Sequence, residues 1–454
     1  MAAVRTPALL VPPRDKYNRP PLGRIFLAHK GERWVSGGLV GMHGDRFAKK
    51  LIILIALSVL SVNAVAEHRP LESAHSAPVW SAVLIPKVET KPTRHYWEDR
   101  ENAGISFLDD QRILVHYVNM DFGQLSSRQS ADVSSPFRLA ATLVDGDAGK
   151  ALLTREWGTR SGGTAIRVNH GGVFIRTGDT LRLLSGDLVE MQKIPIEYDS
   201  AEGMIDWDIQ VSATRKSVLF NHIRLDPEMT NTVSKYYVLD GESFEDREVW
   251  EQEPAMRGKA YSVSDNAIGY VEHSTYREQV VIAKFGSRNG DAVWHHRNEG
   301  CYDSGVFALL TSTAFIYACK EFSFVSDGKL EMKQRFDSGE TPVNAKVALT
   351  ENGRFVAISL ARIDVRSEDD ELVDHLSRLR VIVYDLALKQ RAQELEISPV
   401  PKQFYDFAIS PDGSKLAILN DRTVSVYQIA GQQSEAAQPA DGGTTPNFAS
   451  HMRR

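Results

Sequence analysis

Cys301 and Cys319 are the only two thiols among 454 residues. In an oxidising compartment such a pair forms one bridge, and otherwise the two behave as small buried apolar side chains. Neither lies in a C-x-x-C or at ligand spacing from a histidine, so they suggest no metal site. Asp145-x-Asp147-x-Gly149 opens like a calcium loop, yet the later ligands and the distant bidentate Glu are missing, and a hairpin turn is expected instead. His295 and His296 point to opposite faces of any strand that holds them, which works against a shared metal. Asp303-Ser304-Gly305 contains part of a serine-protease motif without its flanking glycines, and a turn is expected there. H-E-x-x-H, G-x-S-x-G, a Walker loop and a helix-opening G-x-G-x-x-G are all absent. No cofactor and no metal is expected.

Two segments suit contact rather than catalysis. Tyr96-Trp97-Glu98-Asp99-Arg100 mixes aromatic and charged groups able to meet a sugar or a peptide, or simply to pack a rim, so Tyr96 and Trp97 are candidate binding residues. Glu368-Asp369-Asp370-Glu371, followed by Leu372, Val373 and Leu376 with Arg378 and Arg380 behind, places acids first and bases last. That order suits a helix dipole and predicts a short surface helical turn. Glu368, Asp369 and Asp370 are candidates for a cation site or for docking a basic partner.

The elements that hold these groups are short strands. From Val79 to Ile429, β-branched and aromatic runs are broken by Gly, Asp and Asn every eight to fourteen residues, and helical periodicity is almost absent. The clearest unit runs Asp406 to Ser410, turns at Pro411-Asp412-Gly413-Ser414, returns as Lys415 to Leu419, and continues as Thr423 to Ile429. First strands recur at about Ile105, Ala165, Trp207, Tyr261, Gly305, Lys346 and Asp406. That spacing, with four strands per unit, predicts an all-β, seven-bladed β-propeller of antiparallel blades over residues 79–430. The last unit supplies only three strands. Val79 to Pro86 is the expected donor of the fourth, closing the ring and protecting its edges.

Phe407-Ala408-Ile409-Ser410-Pro411-Asp412-Gly413-Ser414-Lys415-Leu416-Ala417 and its weaker echo Val347 to Ala357 resemble secreted bacterial WD40-like or YVTN-like propeller proteins. The S-P-D-G turn is shared by many propeller families, so the resemblance implies architecture rather than activity. The Trp-Asp and Gly-His signatures of eukaryotic WD40 blades do not recur from blade to blade.

In a four-strand blade, the connections from second to third strand and from fourth strand to the next blade emerge on one face. Residues 119–136, 224–234 and 364–378 lengthen that face, which is therefore the expected contact surface. The alternative is a propeller hydrolase or lyase with a polar site in the central funnel.

Arg46 to Lys50, the apolar run Leu51 to Val62, and Asn63-Ala64-Val65-Ala66 have the three parts of a secretory signal peptide, with cleavage expected after Ala66. The uncharged stretch from Leu51 to Ala66 is too short for the roughly 20 residues of a membrane-spanning helix. Translation is expected to start at Met42, leaving 1–41 untranslated or non-globular, 42–66 as signal, 67–78 as linker and 431–454 as a disordered tail. Residues 1–66 carry ten Lys/Arg and three Asp/Glu, so 67–454 hold 43 and 56, a net charge of −13. Such a body does not neutralise phosphates, which argues against nucleic acid. The expectation is thus a monomeric, periplasmic or secreted binding or scaffold module for a protein, small-molecule or glycan ligand of the cell envelope.

Overall fold

The computed structural model describes residues 77–86, 103–120, 137–159, 166–169, 172–177, 180–195, 204–225, 232–240, 246–252, 261–273, 277–285, 290–297, 305–368 and 371–429. The chain divides into two units, 1–69 and 70–454, and all described residues belong to the second. Its strands form seven four-stranded antiparallel sheets. Six are simple meanders in chain order. The seventh takes Tyr405–Ile409, Lys415–Asn420 and Thr423–Gln428 from the end of the chain and Trp80–Val83 from its beginning. The inner strands adjoin one another in succession, and blade seven meets blade one, so the sheets close into a β-propeller. Among the described residues no helix is long and apolar enough to cross a membrane.

The hydrophobic core is divided in the same way. Seven buried clusters occur among the described residues, one between each pair of neighbouring blades. Phe407 and Leu416 of blade seven meet Phe355 and Val381 of blade six in one cluster, while Ala417 and Val424 of blade seven meet Ile105 and Val115 of blade one in another. Alternate residues of a strand therefore serve opposite neighbours. This is why inner and middle strands such as Val306–Leu309 and Ala314–Ala318 appear as nearly unbroken apolar runs, while outer strands such as Lys329–Arg335 and Gln390–Glu396 stay polar.

Closure rests on the register Trp80↔Val426 to Val83↔Thr423. The Trp80 ring lies against Gly149, where an added Cβ would be 2.6 Å from its Cε3, and its Nε1 donates to the Gly146 carbonyl at 2.8 Å. The closing strand of blade seven is thereby pinned to the third-to-fourth strand turn of blade one.

One expectation is overturned. The segment after Val365 is not a helical turn, because blade six continues as two long strands, Phe355–Glu368 and Glu371–Asp385, paired out to Glu368↔Glu371. A helix of one or two turns has too few internal hydrogen bonds to offset its nucleation. Strands that already run in register extend at no such cost. The other two expected insertions are also partly strand: Met120 pairs with Phe137, and Leu225 with Thr232.

Candidate functional site

The first-to-second strand turns crowd one end of the ring, here the turn end, and are two to five residues long. Three share one design. In blade seven, Ser410 Oγ bonds Asp412 Oδ1 at 2.6 Å, Asp412 Oδ1 accepts the Ser414 N–H, and Gly413 at φ +77° donates its N–H to the Ser410 carbonyl. In blade six, Thr350, Asn352 and Gly353 (φ +67°) repeat these roles. In blade three, Ser212 and Thr214 repeat the first two, but the residue at φ +62° is Arg215. A positive φ is costly for any residue with a Cβ.

The Arg215 side chain shows what that backbone holds in place. Its Nη1 donates to the Leu108 carbonyl at 2.7 Å and its Nη2 to the Phe107 carbonyl at 2.9 Å, both at the end of blade one's inner strand. Its Nε lies 3.7 Å from Glu351 of blade six. One guanidinium, its side chain 13% exposed, thus joins blades three, one and six across the axis. Burial lowers its pKa, opposed by the charges of Glu351, Asp110 and Asp109, and it remains a cation.

Around Arg215 the turns bind one another. Asp109 caps its own turn through the N–H groups of Gln111 and Arg112, and Arg112 reaches Asp187 of blade two at 3.2 Å. Asp110 accepts the Asp412 N–H at 2.9 Å, and Lys415 Nζ donates to the Asp110 carbonyl and to Asp147. Burial, joined by the nearby charges of Asp412 and Glu351, raises the Asp110 carboxyl pKa. Burial also pushes Asp412 upward, but its hydrogen bonds with Ser410 and Ser414 outweigh that and hold it low. A cavity of about 200 Å³ remains beside Arg215, between Asp110, Glu351 and Pro411.

Deeper along the axis, Lys346 and Asp406 occupy equivalent positions, each four residues before its turn's Thr or Ser. They pair at 2.7 Å, and Lys346 also donates to the Ile105 carbonyl. Gly104 leaves the space that His116 and Asp406 fill: an added Cβ would lie 2.5 Å from His116 Cε1 and 3.0 Å from Asp406 Oδ2. Burial, then the charges of Lys346 and Arg167, lowers the His116 pKa to about 3, so the imidazole is neutral at ordinary pH. Its Nδ1 is buried without a hydrogen-bond partner. Among the described residues no group of three or more His, Cys, Asp or Glu is placed to hold a metal ion.

Among the described residues, the opposite end, here the arm end, carries its longest extension on blade six. Beyond Arg362↔Arg378, six more residue pairs run to Glu368↔Glu371, which projects the hairpin about 20 Å. Its base is clamped. Arg380, 2% exposed, pairs with Glu340, itself 5% exposed, and with Glu394, while Arg378 pairs with Glu340, Asp337 and Glu396 at 3.2 to 3.3 Å. Burial disfavours the Arg380 cation, but bonding to Glu394 and Glu340 raises its pKa overall.

Of the candidates from sequence, Glu368 stands at the last pair of this arm, opposite Glu371. Asp369, Asp370, Tyr96, Trp97, Cys301 and Ala66 lie outside the described residues. Cys319 is buried just after the second strand of blade five. The Asp145 segment makes the hairpin turn expected of it, with Asp145 Oδ1 accepting the N–H groups of Asp147 and Ala148. Arg215 escaped the sequence argument. Its one signal is its place three residues after Ser212, where Gly413 follows Ser410.

No protein-family model matches the chain, and no curated protein matches it. Solved structures that align with it include the C-terminal WD40 domain of Sif2, at 11% identity over 76% of this chain and 100% of that one, with a TM-score of 0.41. A chain of a Mitotic Checkpoint Complex structure aligns at 9% identity over 77% and 99%, TM-score 0.43. A chain of the Kuenenia stuttgartiensis hydrazine synthase structure aligns at 13% over 75% and 99%, TM-score 0.44. The seven-bladed assignment rests on this chain's own strand pairing.

Proposed function

We propose that this propeller is an exported binding or scaffold module that meets a protein partner of the cell envelope at its arm end. The observation that carries the reading is the blade-six hairpin, which continues six residue pairs past the point where its flanking strands stop and is anchored by the Arg378 and Arg380 ion pairs. A structural blade has no use for that extension, and projecting elements on a rigid scaffold are where recognition is commonly placed. The turn end supports the same choice by contrast, since Arg215 ties three blades together across its axis. The enzyme alternative is not favoured. The buried His116 is neutral, and the neighbouring Lys346 and Asp406 satisfy each other.

Export rests on the signal-like segment ending at Ala66, and it predicts a mature N-terminus at Glu67 by intact mass. A Cys301–Cys319 bridge belongs to the same reading, supported by the finding that no described cysteine is free. It predicts a mass two hydrogens below that of the reduced chain. The function is tested by capturing partners from envelope extract on the mature protein and on variants with residues 121–136, 226–231 or 364–375 shortened. Loss of a captured partner in one variant supports the reading. Capture that survives all three deletions and is lost on altering the turn end overturns it.

A further inference from the structure

We propose that the outer edge of the closing strand, Trp80–Val83, pairs with the same strand of a second copy of this chain, joining two rings into a two-fold dimer. It departs from the monomer expected from the sequence and is independent of the arm end. Among the described residues, every blade ends in an outer strand with one edge unpaired in its sheet. Such edges invite pairing with other chains unless something blunts them. Two blunting devices recur in this ring. In blades one to six the outer strand carries a register shift against its neighbour, from Leu143/Val144 in blade one to Val383/Tyr384 in blade six, and a bulge of this kind twists an edge out of reach. Each of those six strands also contains charged residues. Blade seven has neither device. Trp80–Val83 pairs with Val426 to Thr423 without a shift, and its sequence Trp-Ser-Ala-Val holds no charge.

Exposure and backbone direction make this edge available. Val83 is the most exposed large apolar side chain among the described residues, at 64%, and Val79 is 59% exposed. Both share a strand face with the exposed Ser81. The Leu84 N–H donates inwards to the Arg422 carbonyl. By strand alternation Trp80 and Ala82 also bond inwards, and Ser81 and Val83 turn their N–H and C=O groups outwards. The strand is already fixed on its inner side, where Trp80 is bonded to Gly146 and Arg422 Nε donates to the Ile85 carbonyl at 2.9 Å. Little ordering entropy is therefore lost on pairing.

Symmetry selects the occupant. A two-fold axis through an antiparallel pair sets one residue opposite its own copy. Centred on Ser81, the axis places Val79 opposite Val83 of the second copy and Trp80 opposite its Ala82. Two valine pairs and a serine pair then share one face, a self-complementary arrangement of strand-favouring side chains with no charge to bury. Residues 67–454 carry a net charge of −13, so two copies repel at long range, and added salt screens that repulsion. Four paired residues bury far less than the roughly 1,200 Å² of stable complexes. The dimer is accordingly a weak one that dilution takes apart.

The test is sedimentation velocity of the full mature protein from micromolar to millimolar concentration. A reversible monomer–dimer equilibrium is expected, shifted toward dimer by added salt. Ser81→Pro removes an N–H that faces away from the sheet, a place where edge strands accept proline. It should weaken association at least tenfold, while Ser81→Ala should leave it unchanged. Val83→Lys, at an exposed position, should also weaken association at least tenfold with the melting curve unmoved. Register is read by cross-linking. Paired Cα atoms about 5.5 Å apart lie within reach of a disulfide, so Ser81→Cys should give a covalent dimer under mild oxidation. Val83→Cys should not, because its two copies stand ~13 Å apart along the strands. A chain that is monomeric throughout overturns the proposal, as does a dimer indifferent to Ser81→Pro and Val83→Lys, or one that Val83→Cys locks as readily as Ser81→Cys. Capture of an envelope protein at this edge by a chain that stays monomeric would assign the edge to another partner and overturn it too.

Discussion

The turn end and the arm end of the ring are held by different means. At the turn end, blades are stitched to blades: Arg215 spans three of them, Lys415 and Asp412 join seven to one, and Trp80 pins the closing strand to the Gly146 turn. At the arm end, among the described residues, Tyr317 of blade five donates to Glu278 of blade four, but the densest ion pairing lies at blade six, where Arg378 and Arg380 secure a hairpin to its own sheet. Stitching between blades fixes the ring, whereas anchoring within a blade leaves the anchored element standing clear of its neighbours. The difference separates a part of the molecule that holds shape from a part that can present a surface.

The sharpest way to break this contrast is to attack the stitching. Trp80→Ala removes a half-buried ring and its bond to Gly146, and should cost about 3 kcal/mol in urea unfolding. An equal loss from shortening the arm would mean that the two ends do not differ in this respect. Next comes Arg215→Gly, which relieves a positive φ but loses two charge-assisted bonds and an ion pair. A net loss of about 2 kcal/mol is expected, and a gain would show that Arg215 is strained without holding anything.

His116 probes the zone between the two ends. Its folded pKa of about 3 lies below the ordinary histidine value, so the unfolded chain binds the proton first. The stability it contributes is complete above pH 6.5 and is lost as pH falls from there toward 3, with a slope approaching about 1.4 kcal/mol per pH unit. Denaturant unfolding between pH 7 and 4.5 should show that slope, and His116→Phe should flatten it. The smallest effect belongs to Asp110. Its raised pKa means that ionisation costs stability at neutral pH, so Asp110→Asn, which retains the acceptor for the Asp412 N–H, should gain about 0.5 kcal/mol at pH 7. The gain should vanish as pH falls through the carboxylate range, and a gain that persists at pH 3 would assign it to something other than charge.

The blades were legible because their information is local. Ser410-Pro411-Asp412-Gly413 states a turn in four residues, and apolar runs on either side state two strands. The donor strand at Trp80 is legible by count, since the end of the chain leaves blade seven one strand short. The arm was misread because acids first and bases last describe a short helix and the tip of a hairpin equally well. What separates them is that Ile363 faces Leu376 across the pair, a fact of register. The ion pairs at its base draw Asp337, Glu340, Glu394 and Glu396 together around two arginines, and no spacing along the chain announces that. Arg215 was hidden for a different reason: residue type suggests φ for glycine and says almost nothing about it for arginine.

The hydrogen bond between Ser81 and Ser425 joins residues 344 positions apart. During synthesis, the first strand of the ring is therefore made early and has no place to go until nearly the whole of the propeller has followed it. Blades one to six can form as they emerge, each as a local meander, but the ring stays an open arc until the last blade exists. A chain that must wait in this way reaches its final shape only after the ribosome has released almost all of it.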